Sequence, residues 1–262
     1  MSGTVRSASA VTLSVWKALF LREAVSRISS GRAAWAWLLF EPVVHVAFIL
    51  VLFTLVRMRV VPGAEAAVWL LVGLSSFFTA RNIYSRGMEA INANEALFAY
   101  RQVIPVDAVL VRAALEAFLG VIVAMLLLVG AGLFGFQVVP HDPLGALAGF
   151  AGLCLCGLGL GLILSVASEL VPELGKVARL LFTPLYFLSG VMFPVSLVPP
   201  QYREILFYNP FAHGLELARG AFFPLYHAAP EASFGYLYGF ALTTIFLGLS
   251  LQVRYAVRLR AQ

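Results

Sequence analysis

The sequence VDAVLVRAALEAFLGVIVAMLLLVGAGLF at 106–134 is an almost unbroken run of apolar residues. A helix needs about 20 mainly apolar residues to cross a bilayer, and this run is longer than that, so it predicts a membrane-spanning helix. The whole chain has the same character, since 61% of its 262 residues are hydrophobic and only 12% are charged. Soluble domains carry about 25% charged residues, so lipid is expected to surround most of this chain.

Six apolar runs are long enough to span a membrane. They lie at about 35–56, 66–84, 106–134, 144–168, 177–193 and 232–253. The sequence therefore predicts one all-α integral membrane domain, 1–262, with six spans. The second and fifth runs are interrupted, by Arg81-Asn82 and by Thr183-Pro184.

The distribution of basic residues predicts the orientation. The net charge is +5, and most of the 18 Lys and Arg residues fall in segments that share one side of the membrane with the N-terminus. Only Arg57, Arg59, Arg203 and Arg219 fall on the other side, and Arg112 lies within the third run. Because cytoplasmic loops carry the excess of Lys and Arg, both termini are expected to be cytoplasmic.

Residues 10–30 are too polar to span a membrane. Apolar positions there form one helical stripe and charged positions lie opposite, which is typical of an amphipathic helix at a membrane surface. The apolar positions are Phe20, Leu21, Ala24, Val25 and Ile28. A helix packed on a protein partner is the alternative, and the two interpretations are compatible.

The segment RGMEAINANEALFAYRQVIP at 86–105 is the longest loop on the predicted cytoplasmic side. Its mixture of apolar and acidic residues favours a short helix with an apolar face. Such a helix could dock on a soluble partner. It could equally fold back under its own bundle, and composition does not separate the two.

Residues 194–231 contain six prolines, too many for a continuous spanning helix. Asn209-Pro210 has the pattern of an N-cap followed by the first helical position. We therefore expect two short helices, at about 201–208 and 210–222, in a re-entrant hairpin that dips into the outer leaflet. An aromatic surface helix is the alternative.

No catalytic or nucleotide-binding motif is visible. The string LVPELGKV at 170–177 lacks the first glycine of a phosphate loop and the Ser or Thr after its lysine. Energy for transport would then come from ions or from another chain, and no metal site is predicted.

Two ionisable pairs lie inside predicted spans, each with i, i+4 spacing. Arg112 and Glu116 are interpreted as neutralising each other inside the bundle. Glu41 and His45 could do the same, but Pro42 frees backbone carbonyls nearby, which favours a polar path.

Six motifs occur in a characteristic order along nearly the whole chain. They are LFLRE (19–23), WAWLLFEPVVH (35–45), INANEALFAYRQVIPVD (91–107), VPELGKV (171–177), TPLYFLSGVMFP (183–194) and YNPFAHGLELARGAFF (208–223). Together they resemble the type-2 ABC exporter permeases of capsular polysaccharide secretion, the KpsM-like subunits. The string EPVVH favours the capsule branch over relatives that export O-antigen or teichoic acid.

The resemblance implies a role for four groups of residues. The interface helix would include Phe20, Arg22, Glu23 and Arg27. The translocation path would include Trp35, Phe40, Glu41, His45, Tyr186, Phe187 and Phe193. The coupling helix would include Glu89, Ile91, Asn92, Asn94, Glu95, Leu97, Phe98, Tyr100 and Arg101. The re-entrant hairpin would include Tyr202, Tyr208, Asn209, Pro210, His213, Glu216 and Arg219.

The resemblance also implies the partners. Two copies of the chain would pair in the bacterial inner membrane above two ATPase subunits, which bind the ATP and magnesium, so this chain would carry no cofactor and catalyse no reaction. The cargo would be a lipid-linked acidic polysaccharide, passed to a periplasmic adaptor and an outer-membrane conduit. No nucleic acid is expected.

Three other functions are compatible with parts of the sequence. An ABC permease could export a small drug or a lipid instead of a glycan. A proton-coupled carrier could use Glu41 and His45. A membrane scaffold would explain the short loops but not the broken-helix hairpin.

Overall fold

The computed structural model of the chain describes residues 8–29, 34–55, 63–100 and 102–260. All regular secondary structure in these ranges is helical, as predicted. The α-helices are α1 (Ala8–Ser29), α2 (Ala34–Leu55), α3 (Ala66–Met88), α4 (Pro105–Leu133), α5 (Pro143–Leu170), α6 (Pro172–Leu180), α7 (Phe182–Leu188), α8 (Pro200–Leu206), α9 (Pro210–Phe222) and α10 (Phe234–Arg254). Short 3-10 helices lie at Asn92–Ala99, Val195–Leu197 and Arg258–Arg260.

Four of these helices, α3, α4, α5 and α10, are long and apolar enough to cross a membrane. Their bounds lie within a few residues of four of the predicted runs, and α3 continues four residues beyond its run, to Met88. α2 covers the first predicted run and is 22 residues long. At 1.5 Å per residue it is about 33 Å long, close to the hydrocarbon thickness of a bilayer.

α5 is the centre of the bundle and packs against α3, α9 and α10. Small residues allow the close approach. A Cβ at Gly157 would meet the backbone carbonyl of Ala80 on α3 at 2.6 Å, and one at Gly149 would lie 2.9 Å from the backbone of Ala218 on α9. Membrane helices commonly associate through small residues in this way, because close backbones gain van der Waals contact.

The segment predicted as the fifth span is two short helices, α6 and α7, that follow one another. The amides of Leu181 and Leu185 still donate to the carbonyls four residues earlier, at 3.0 Å each. The helix is interrupted between them because Pro184 has no amide hydrogen for the carbonyl of Leu180. Residues 172–188 therefore form a kinked helical path over most of the run predicted at 177–193, with the break near the Thr183-Pro184 interruption.

The two short helices predicted in the proline-rich segment are present as α8 and α9. α9 begins as its sequence predicts: the Asn209 side chain accepts a hydrogen bond from the Phe211 amide at 3.0 Å, and Pro210 is the first helical residue. We call residues 189–233, which contain α8 and α9, the cap.

The helix at Arg258–Arg260 lies beside the segment that follows α3. Leu259, in the last 3-10 helix, is buried in one apolar cluster with Ile91, Phe98 and Val109. The C-terminal turn is therefore packed against the Asn92–Ala99 helix.

Candidate translocation face and partner surfaces

α3 presents one partly open face. Between Leu71 and Met88, the residues that are not buried are Ser75, Phe78, Arg81, Asn82, Ser85 and Arg86. Their spacing of three and four residues places them on one side of the helix, and we call this set the α3 stripe. All of its members except Phe78 are polar. A polar face on a membrane-capable helix favours contact with water or protein over contact with lipid.

An aromatic cluster joins α2, α3 and α7 near the N-terminal end of the α3 stripe. The imidazole Nε2 of His45 lies 3.3 Å from the hydroxyl oxygen of Tyr186. The ring of Phe78 stacks on that of Tyr186, with centroids 5.9 Å apart, and meets His45 edge-on at 5.0 Å. The hydroxyl and the imidazole therefore form a polar pair among ring faces.

Arg81 lies one helical turn from Phe78 along the stripe. Its guanidinium carbon is 5.7 Å from the ring centroid of Phe78 and 5.8 Å from that of Phe182 on α7. Both distances are within the range of cation–π attraction. α3 and α7 therefore share a face that combines aromatic rings with a positive charge.

The residues predicted for the translocation path are only partly brought together. His45 and Tyr186 are in contact, and Phe187 meets Tyr186 edge-on at 5.4 Å. Phe40 is exposed on α2, and Phe193 is half-buried in the turn after α7. The side chains of Trp35 and Glu41 lie outside the described residues.

The α3 stripe was missed at the sequence level, although a signal was present. Ser75, Asn82 and Ser85 recur at helical spacing within an otherwise apolar run, and Arg81 is next to that line. The predicted run is interrupted by Arg81 and Asn82 and stops at 84, whereas α3 continues beyond them to Met88.

α1 is fastened to the start of α4 by two ion pairs. Glu23 lies 2.9 Å from Arg112, and Arg27 lies 2.6 Å from Glu116. The prediction that Arg112 and Glu116 neutralise each other was wrong, because each finds an opposite charge on α1. Side chains that extend from two facing helices can bring their charged ends directly together, whereas side chains on one helix must bend along its surface to meet.

Two more polar contacts hold α1 in place. The indole nitrogen of Trp16 donates to Asp107 at 2.7 Å, and Arg22 donates to the side-chain oxygen of Asn94. Phe20 meets Phe118 of α4 edge-on, with centroids 6.4 Å apart. The charged face of α1 is therefore turned toward the bundle, while Leu21 and Val25 are exposed.

The docking segment, residues 89–100, is divided between the core and the surface. Ile91, Asn94 and Phe98 are buried, whereas Asn92, Glu95 and Tyr100 are exposed and Leu97 is half-buried. Its larger apolar side chains thus fold back under the bundle, which was one of the two alternatives. Glu89 pairs with Arg179 of α6 at 3.0 Å, and Arg101 lies outside the described residues.

Arg219 is a fully buried charge of the cap, with no exposed surface. It donates hydrogen bonds to the carbonyls of Gly190 and Val191, at 2.8 and 2.7 Å. Its guanidinium carbon lies 3.4 Å from the ring centroid of Trp69 on α3. Burial lowers the pKa of Arg219 to about 10, so the group stays protonated at neutral pH.

Glu216 and His213 complete the buried polar groups of α9. Glu216 accepts from the hydroxyl of Tyr226 at 2.9 Å and from the amide of Ala229 at 3.2 Å. His213 Nδ1 accepts from the Ser233 amide at 2.9 Å, so Nε2 must carry the proton that bonds the Phe207 carbonyl at 2.7 Å. This arrangement holds the imidazole neutral.

The other residues predicted for the hairpin differ in burial, since Pro210 is buried and Asn209 is half-buried. Tyr202 and Tyr208 are exposed, and Asn209 also donates to the hydroxyl of Ser189 at 2.8 Å. Within the described ranges, no cluster of three or more His, Cys, Asp or Glu side chains could hold a metal ion.

The chain is similar to known membrane transport proteins along most of its length. Residues 14–223 match the ABC-2 type transporter family. The chain is 37% identical to the polysialic acid transport protein KpsM of Escherichia coli over 235 residues, which cover 90% of this chain and 91% of that protein.

Two further relatives are named for capsule export. The chain is 26% identical to the capsule polysaccharide export inner-membrane protein BexB of Haemophilus influenzae, over 94% of this chain and 92% of BexB. It is 28% identical to the capsule polysaccharide export inner-membrane protein CtrC of Neisseria meningitidis, over 79% of this chain and 78% of CtrC. On the family match and the end-to-end identity with KpsM, this chain belongs to the ABC-2 type transporter family.

Proposed function

We propose that this chain is the membrane-spanning permease of an ABC exporter that carries lipid-linked capsular polysaccharide across the bacterial inner membrane. The observation that carries the proposal is the 37% identity over 90% of the chain to a polysialic acid transport protein. The two relatives named as inner-membrane proteins of capsule export support the same cargo class and the same membrane.

The proposed topology has six spans and two cytoplasmic termini. α2, α3, α4, α5 and α10 are five of the spans. α6 and α7 together form the other, since residues 172–188 would reach about 25 Å at 1.5 Å per residue. α1 would lie at the cytoplasmic surface of the membrane, with its charged face on α4 and its exposed apolar side chains toward lipid.

The proposed path runs between two copies of the chain. The α3 stripe and the ring cluster around Tyr186 would face it from each copy, because a polar and aromatic surface is better suited to a hydrated glycan than to lipid. Aromatic rings can stack on the apolar faces of sugars, and Ser, Asn and Arg can donate hydrogen bonds to hydroxyls.

The proposed energy source is a pair of separate ATPase subunits, which would bind the ATP and magnesium. The exposed part of the docking segment, around Asn92, Glu95 and Tyr100, would meet them. Since Phe98 and Ile91 anchor this segment in the core next to α4 and α5, a push on its outer face would be transmitted to spanning helices.

The cap would lie at the outer leaflet as a re-entrant structure. α9 has 13 residues and is about 20 Å long, too short to cross the membrane. Its polar side chains are paired inside the cap, which is what broken helices in a membrane require. From there the polymer would pass to a periplasmic adaptor and an outer-membrane conduit.

Deletion of the gene in an encapsulated host tests the proposal. We expect lipid-linked polysaccharide to accumulate in the cytoplasm, surface polysaccharide to disappear and drug sensitivity to stay unchanged. Unaltered surface polysaccharide would contradict the proposed cargo, and a changed drug sensitivity alone would favour a drug exporter. Export that survives ATP depletion but stops with an uncoupler would instead indicate a proton-coupled carrier.

A further inference from the structure

Arg81 is a charged side chain inside a membrane-capable helix. It lies seven residues before the end of α3 at Met88, or about 10 Å along the helix axis. Placing arginine at such a depth costs free energy, so intramembrane arginines are usually paired or take part in function.

Three other arginines, on α1, α3 and α4, are paired. Arg27 and Arg112 form close ion pairs with Glu116 and Glu23, and Arg86 lies 3.9 Å from Glu116. In the described part of the chain, no ion pair or hydrogen bond involves the Arg81 guanidinium. Its neighbours are the rings of Phe78 and Phe182.

These surroundings leave Arg81 able to bind a ligand. Aromatic rings attract a guanidinium without taking up its N–H groups as a carboxylate would, so those groups stay available, and their paired edge matches two oxygens of a carboxylate or phosphate. Arg81 is also half-buried on the open α3 stripe, where a ligand can reach it.

We propose that Arg81, flanked by Phe78 and Phe182, binds an oxyanion carried by the cargo as it passes along the α3 stripe. The oxyanion is a carboxylate of an acidic sugar or a phosphate of the lipid terminus, and both present two anionic acceptor oxygens to the guanidinium. The inference rests on the proposed function, because it needs an anionic glycan in the path. It adds the residue that makes the path select charged polymer over neutral polymer.

Binding of defined oligosaccharides to the permease–ATPase complex tests the site. The complex is placed in phosphatidylcholine nanodiscs, and fluorescence anisotropy measures three labelled probes: oligosialic acid, a dextran oligosaccharide with a terminal phosphate, and the same dextran without phosphate. We expect Arg81→Gln to weaken binding of a charged probe roughly tenfold and to leave the neutral probe unchanged. Loss for oligosialic acid alone identifies the sugar carboxylate, and loss for the phosphorylated dextran alone identifies the lipid terminus.

The matched control is Arg254→Gln, which removes an arginine that also lies over a ring, that of Tyr255 at 6.0 Å, but is not on the α3 stripe. It should leave all three affinities unchanged. The proposal would be overturned if Arg81→Gln bound each charged probe as tightly as the wild type does. It would also be overturned if Arg81→Gln lost as much affinity for the neutral dextran as for the charged probes.

A second variant keeps the test decisive if Arg81→Gln does not assemble. Arg81→Lys retains the charge but lacks the two-pronged edge, so it should fold and still bind charged probes more weakly than the wild type. Unchanged binding by Arg81→Lys would then overturn the site. If instead the gene deletion leaves capsule export intact, the proposed function fails, whatever Arg81 binds.

Discussion

The guanidinium of Arg219 lies 3.4 Å from the ring centroid of Trp69, and this contact joins the cap to α3. The same guanidinium donates to the carbonyls of Gly190 and Val191, so one side chain holds α9, α3 and the turn after α7 together. It fits only because position 73 is glycine: a Cβ there would overlap the guanidinium.

Gly73→Ala should therefore destabilise the protein. Overpacking of a buried site usually costs about 1–3 kcal/mol, and a lower thermal unfolding temperature in detergent would measure it. Gly130→Ala on α4 is the control, since a Cβ there meets nothing within 4 Å. Equal melting temperatures for the Gly73→Ala and Gly130→Ala variants would contradict the close fit.

Arg219→Ala should be destabilising by itself, but it also removes the side chain that a Cβ at position 73 would overlap. Two carbonyls lose their donors and the cation–π contact is lost, which together should cost about 2–5 kcal/mol. If Gly73 and Arg219 are coupled as described, Gly73→Ala should cost less in the Arg219→Ala background than in the wild type. Additive losses in this double-mutant cycle would indicate that the two positions act independently.

Reversing a charge on α1 should weaken its attachment to α4. Glu23→Arg places a second cation beside Arg112, and we expect a loss of about 2 kcal/mol from this largely buried pair. The double variant Glu23→Arg with Arg112→Glu restores opposite charges and should recover most of the melting temperature. A double variant no more stable than Glu23→Arg alone would show that the pair does not hold α1.

Substitutions in the docking segment should separate folding from assembly. Phe98→Asp buries a carboxylate in the core and should prevent stable expression. Glu95→Lys and Tyr100→Ala change exposed side chains, so the permease should still fold but lose its ATPase partner in a detergent pull-down. Retained ATPase binding by both surface variants would contradict the proposed docking surface.

Acid should loosen the cap through His213. Burial lowers the pKa of His213 below its usual value near 6.5, although the bond to the Phe207 carbonyl acts in the opposite direction. The unfolded chain therefore takes up the proton first as the pH falls. The stability that neutral His213 contributes is complete above about pH 6.5 and declines below it.

Hydrogen exchange of residues 210–222 between about pH 7 and pH 5 would measure this effect. His213→Gln should remove the acid-dependent loss of protection, measured against the intrinsic exchange rate at each pH, whereas His227→Gln, at an exposed position, should retain it. A wild-type cap with equal protection at both pH values would contradict the assignment.

The sequence predicted the helices well because they follow from local chemistry. Asn209-Pro210 marks a helix start wherever it is placed, and Pro184 interrupts a helix because it lacks an amide hydrogen. The run at 106–134 is apolar enough to be a membrane helix in any surroundings. These features can be predicted without knowing which helices lie next to them.

Pairing between helices could not be predicted in the same way. Arg112 has Glu116 at ideal spacing in sequence, but its partner is Glu23, which is 89 residues away and reaches it only after α1 docks on α4. Likewise, whether Phe98 faces a partner or the core depends on the position of α5. Both outcomes are properties of the packed bundle.

The buried position of Leu259 has a practical consequence. Residues 258–260 are fixed against the segment that we propose receives the ATPase, so an affinity tag or fluorescent protein joined directly after Arg260 would emerge beside that surface. A fusion placed ahead of α1, or joined through a long glycine-serine linker, would keep the bulky label away from it. Purification and imaging of the assembled exporter should therefore begin from N-terminal fusions.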